Sequence, residues 1–176
     1  NGWQRIKKLN LIQKPSFGIQ VNYKPSAKLL LNYSNFTGTD IQNNFNSLRT
    51  FHNLYAQFEP SEKLGLIAGF DLGSDKYNST DYGIWYSPVV ILRYSMSEQV
   101  KFAVRGEYYN DKNRIIVATN NLNGLRVSGI SGNFDYQLSK KLQFRIEGKL
   151  YQAGDREFIN NSSKNYSITS NMTIRL

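Results

Sequence analysis

The chain has 176 residues, no Cys, one His (His52) and a formal net charge of +9, with 12 Tyr, 10 Phe and 2 Trp against a mean hydropathy of −0.51. The length suits one domain or one membrane unit; the absence of Cys excludes a disulfide scaffold, a thiolate metal site and a Cys nucleophile, and a single His excludes a multi-histidine metal site. The 22 Lys and Arg are dispersed, with doublets only at Lys7-Lys8 and Lys140-Lys141, so no basic run invites nucleic acid, and no stretch approaches the ~18 apolar residues of a spanning helix.

Asn1-Gly2-Trp3-Gln4-Arg5 carries no initiator Met and is not a signal peptide, so the expectation is a chain that begins inside a longer precursor. Residues 3–12 alternate poorly and are a weak strand candidate. Phe17, Ile19, Val21 and Tyr23 then alternate with Ser16, Gly18, Gln20 and Asn22, which predicts a strand over 16–23. A six-residue phrase follows, Tyr23-Lys24-Pro25-Ser26-Ala27-Lys28, and it recurs. It returns as Phe58-Glu59-Pro60-Ser61-Glu62-Lys63, as Tyr94-Ser95-Met96-Ser97-Glu98-Gln99 and as Tyr136-Gln137-Leu138-Ser139-Lys140-Lys141. The central serines stand 35, 36 and 42 residues apart. An aromatic strand end followed by Pro or Ser reads as a tight turn, so each period holds two strands, one short turn and one long loop.

The remaining strands fall at 29–36, 50–58, 64–73, 85–94, 100–109, 127–138, 142–151 and 166–176, nine in all with the first. Pro88 lacks a ladder donor, which predicts a bulge in 85–94. The long connections, Thr37–Leu48, Ser74–Gly83, Asn110–Leu125 and Gln152–Asn165, are rich in Asn, Asp, Ser, Thr and Gly. Short turns alternating with long polar loops are the layout of an outer-membrane barrel. The fold class is therefore all-β, an antiparallel up-and-down transmembrane β-barrel, with 1–176 as a single unit.

Alternation also occurs in a soluble sandwich, where the apolar face turns inward. Two features favour the inverted arrangement. Aromatics cluster at strand ends: Tyr23, Phe58, Tyr94 and Tyr136 by the turns, and Tyr33, Phe36, Phe70, Trp85, Tyr86, Tyr108, Tyr109 and Tyr151 toward the loops. Such girdles suit the two membrane interfaces. The polar face carries charges of both signs at strand centres: Asp71, Arg93, Lys101, Arg105, Glu107, Asp135, Arg145, Glu147, Lys149 and Arg175. These are the expected pore-lining residues, with a basic excess that favours anions.

Several short motifs resemble the β-barrel porins of Bacteroidota outer membranes, the OmpL-like group. They are Asp71-Leu72-Gly73, Trp85, Arg93-Tyr94, Arg105-Gly106-Glu107-Tyr108 with Asp111, and Arg145-Ile146-Glu147 with Asp155; nearer the front stand Asn1-Gly2-Trp3 and Ser16-Phe17-Gly18. The resemblance implies a barrel of more than nine strands, of which this chain is the C-terminal part. Outer-membrane barrels commonly end in an aromatic, whereas this chain stops at Leu176.

The function expected is passive diffusion of small hydrophilic solutes through a charged lumen, with no catalytic residue, no metal and no cofactor. The surroundings expected are outer-membrane lipid and lipopolysaccharide, with protein partners in an outer-membrane complex and no nucleic acid. Three alternatives stand beside it. A non-conducting barrel would act in adhesion or as a complex subunit through its outer loops, such as Phe36–Leu48 or Ile115–Val117. A soluble β-sandwich would be a binding module. A barrel hydrolase would need His52-Asn53 and a serine, yet those two side chains point to opposite faces of one strand.

Overall fold

The computed structural model describes residues 14–42 and 45–175. The weak strand over 3–12, Asn1-Gly2-Trp3, the doublet Lys7-Lys8 and Leu176 lie outside the described residues. The described chain is one nine-stranded sheet, β1 (Gln20–Ser26), β2 (Leu29–Gln42), β3 (Phe45–Phe58), β4 (Leu64–Lys76), β5 (Tyr82–Ser95), β6 (Val100–Asp111), β7 (Leu125–Ser139), β8 (Leu142–Ala153) and β9 (Lys164–Ile174). Each strand pairs antiparallel with its sequence neighbours, in the order β1 to β9. The only helical element among the described residues is a short 3-10 turn, Ile159–Asn161. The sheet is not closed, and β1 and β9 run in the same direction.

The repeated phrase has a physical cause. In each short turn the central serine accepts a backbone amide: Ser26 Oγ from Lys28 at 3.3 Å, Ser61 Oγ from Leu64 at 3.2 Å, and Ser139 Oγ from Lys141 at 3.3 Å. Ser97 Oγ accepts two, from Gln99 at 3.2 Å and Val100 at 3.0 Å. A hydroxyl two or three residues ahead of an orphan N–H closes the turn without a long loop.

At the other end the strands run further than the sequence implies. β2 and β3 pair without a register shift from Leu29↔Phe58 to Gln42↔Phe45, so the loop expected over Thr37–Leu48 is replaced by a hairpin. Polar composition suggested a loop there, but a two-strand ribbon standing in water needs no apolar face. A 14-residue strand is about 46 Å long, more than a tilted strand needs to cross a bilayer. The bulge expected at Pro88 is likewise absent. Phe70↔Pro88 sits in unbroken register with β4, and the missing N–H leaves only a gap in the β6 ladder between Tyr86↔Asn110 and Val89↔Glu107. Register shifts occur instead near the turns, at Tyr23/Ser26 and Gln137/Ser139.

Candidate functional site

Cross-strand pairing fixes which side chains share a face. One ladder rung reads Lys101↔Asp135↔Arg145↔Asn171; another reads Arg93↔Ala103↔Asn133↔Glu147↔Thr169; a third reads Ile91↔Arg105↔Ser131↔Lys149↔Ser167. Glu107 and Arg175 follow from these in steps of two, and Asp71 pairs with Ser87, two steps from Ile91. The ten charged residues singled out in the sequence therefore lie on one face, called here the inner face.

The opposite face carries Val100↔Tyr136↔Phe144↔Met172, Phe102↔Phe134↔Ile146 and Val104↔Gly132↔Gly148↔Ile168. Nothing covers it. Phe102, Phe144 and Ile174 are 41%, 37% and 62% exposed, and a Cβ placed on Gly106, Gly132 or Gly148 would meet no atom within 4 Å. Among the described residues the buried hydrophobics are Trp85, Ile115 and Ala153 alone. A water-soluble domain of this length buries most of its apolar surface, and a sandwich needs a second sheet to do so. The described residues form one layer. An uncovered apolar face of this kind is what a membrane-spanning barrel turns outward. On β4, β6, β7 and β8 the outward residues stay apolar or aromatic for five positions from the turn and then become Ser74, Asn110, Ser128 and Gln152. Nine residues span about 27 Å along a strand, close to the ~25 Å apolar band of a barrel once tilt is allowed for.

The inner face is a network of charge pairs. Arg145 holds Asp135 through Nε at 2.5 Å and Nη2 at 2.7 Å. Arg105 pairs with Glu107, to which Tyr151 also donates at 3.1 Å, and Lys149 Nζ lies 3.4 Å from Glu147. Arg93 reaches Glu59 at 3.3 Å, and Asn53 donates to Asp71 at 2.6 Å. The cations of the other pairs, Arg93, Arg105 and Lys149, are a third or more exposed, so those pairs are worth little in stability, whereas the bidentate Arg145–Asp135 pair sits on a buried carboxylate. Their effect is to set the field along a wet surface.

The aromatic girdles need correcting. Tyr23, Phe58, Tyr94, Tyr108 and Tyr136 stand on the outward face, as expected of interface residues, and Tyr86 joins them, 6.1 Å from Tyr108. Trp85 and Tyr151 do not. Trp85 is 6% exposed on the inner face, stacked on Phe51 at 5.4 Å and lying over Gly73. Tyr151 lies on the inner face over Gly129 with its hydroxyl on Glu107. Phe36 and Tyr109 are inner-facing too. Both corrected residues are an even number of positions from an inner charge, Arg93 and Lys149, so strand parity already placed them.

His52 and Asn53 diverge as expected. His52 Nδ1 lies 2.8 Å from the Tyr33 hydroxyl on the outward face, whereas Asn53 bonds Asp71 on the inner face. No group of three or more His, Asp or Glu suited to a metal occurs among the described residues.

Sequence reasoning did not foresee the burial at the loop end of the inner face, although Asp111 stands in one of the family motifs. Asp75 is fully buried, accepts from Arg49 Nε at 2.6 Å and is bonded by Ser47. Asp111 is fully buried as well. Strand alternation signals neither burial: Asp75 depends on Arg49 of β3, and Asp111 on amides of the connection that follows it.

The family model described as "Putative beta-barrel porin-2, OmpL-like" matches residues 1–176. The chain belongs to this porin family. No curated protein and no solved structure gives a significant match. Membership in the OmpL-like porins accords with the all-β architecture, and it makes the inner face the candidate functional surface.

Proposed function

We propose that this chain forms part of the wall of an outer-membrane porin, and that its inner face lines a water-filled path for small hydrophilic solutes. One observation carries the reading: the sheet has an uncovered apolar face on one side and a charge-paired, hydrated face on the other. Lipid tails and lipopolysaccharide fit the first, and water fits the second. An open sheet edge cannot persist in hydrocarbon, so further strands complete the barrel. Because β1 and β9 point the same way, wholly antiparallel closure needs an odd number of them.

The lumen does no chemistry in this reading; it is a path. Four ion pairs neutralise Arg93, Arg105, Arg145 and Lys149. Lys101 and Arg175 then stand against Asp71, whose partner is the uncharged Asn53, so one net positive charge remains among these residues and the field favours anions only weakly. The full-length protein in a planar bilayer tests this. Stepwise conductance with a reversal potential of anion-selective sign is expected in a salt gradient. A silent bilayer from correctly folded protein would remove the pore, and cation selectivity would remove the assigned field.

A further inference from the structure

The inner face is open to water over most of its height, but not at its loop end. There Asp75, Asp111, Trp85 and Ile115 are 0%, 0%, 6% and 2% exposed. The segment between β6 and β7, residues 112–124, turns back over this end. A Cβ on Gly83, an inner-face position opposite Asp75, would lie 2.7 Å from the Asn113 Cβ.

The fold-back has a definite anchor. Asp111 Oδ1 accepts the Ile115 amide at 2.7 Å, and Oδ2 accepts those of Ile116 and Val117 at 2.7 and 2.9 Å. Three backbone donors converging on one buried carboxylate are charge-assisted bonds, each stronger than a neutral one. Arg114 takes φ of 57° to bring them round, and Gly124 returns to β7 with φ of 67°, where a Cβ would collide with the Asp111 and Lys112 carbonyls. The far side of the segment is tied as well. Thr119 Oγ1 donates to Glu157 at 2.5 Å and Asn121 Nδ2 to Asp155 at 2.6 Å, both on the connection between β8 and β9. The tied residues and the inner-face residues Leu125 and Val127 line an open pocket of about 750 Å³.

A loop that served only outer contacts would project away from the strands. This one spends a buried carboxylate, two left-handed residues and two cross-loop bonds on lying against the inner wall, from β5 to the β8–β9 connection. The geometry points to residues 112–124 as a constriction at the outer mouth, with Asp111 as the positioning residue that holds it and solute size as the property it sets. This rests on the pore reading above, since a constriction limits flow only where there is a channel.

The 176 residues hold no Cys, so Ile115→Cys can be read alone in the full-length protein once any Cys outside them is replaced by Ser. The expected result is slow labelling by a water-soluble maleimide, and fast labelling once Asp111→Ala is added. Asp111→Ala alone is expected to raise single-channel conductance roughly twofold or more and to admit larger sugars in liposome swelling, because the narrowest section sets both. Thr119→Ala with Asn121→Ala alters only half-exposed side chains and is expected to give a smaller rise of the same sign, which serves if Asp111→Ala fails to fold. Rapid labelling of the Ile115→Cys variant with Asp111 intact overturns the fold-back whether or not the protein conducts. A conducting wild type whose conductance and size limit ignore both sets of changes overturns the constriction but leaves the pore. A silent wild type that stays silent with the loop freed overturns both.

Discussion

The two ends of this sheet are built on opposite plans. At the turn end, four connections reuse one device, a serine hydroxyl on a backbone amide, and any one could stand in for another. At the loop end no connection resembles the next: a hairpin continues β2 and β3, a short loop over 77–81 joins β4 to β5, and 112–124 folds inward onto Asp111. Repetition serves closure of the hairpins, a task that is the same each time. Individuality appears where buried charge, aromatic stacking and loop docking meet, the end that the proposed pore would open to the outside.

The contrast predicts where substitutions hurt. The largest loss is expected from Arg49→Ala, which strands the fully buried Asp75 without its guanidinium; breaking such a pair costs about 3–5 kcal/mol. Denaturant unfolding of the full-length protein in lipid vesicles checks this, and a loss near zero would mean that the pair is hydrated. Next comes the membrane face. Val104→Arg puts a charge at the middle of the apolar band and should cost about 2–4 kcal/mol. Thr169→Arg, exposed on the inner face of β9, should stay within about 0.5 kcal/mol in the same assay. If the two cost the same, the faces have been assigned wrongly.

Gly73→Val should cost about 1–3 kcal/mol, since Trp85 already fills the space above it, whereas Gly132→Ala meets nothing and should be neutral or slightly stabilising. The smallest effect is expected at the repeated turns. Ser97→Ala removes the acceptor for two exposed amides and should cost about 1 kcal/mol or less. A loss there matching Arg49→Ala would erase the distinction between the two ends.

Much of the fold was legible because membrane strands obey a two-residue period with few exceptions. The nine strands and the one face shared by the ten charges follow from alternation, and the four turns from the repeated phrase. The same rule places Trp85 and Tyr151 inside, yet aromatic chemistry pointed to the interface, and parity was the better guide. The hairpin over 37–48 was hidden because polar strands outside a membrane share their composition with loops. Asp75 and Asp111 were hidden for a different reason. Arg49 is 26 positions from Asp75, and the amides that hold Asp111 belong to a segment whose composition indicates only a loop.

The strict neighbour-to-neighbour order of the strands has a kinetic consequence. Every rung in the sheet joins strands consecutive in sequence, so each hairpin can zip onto the last with only a short stretch of chain to immobilise. No such shortcut exists for the join that closes a barrel, because it pairs strands that are remote along the polypeptide. Assembly should therefore advance quickly through a curling ribbon and then pause at the seam, the last and slowest join to form.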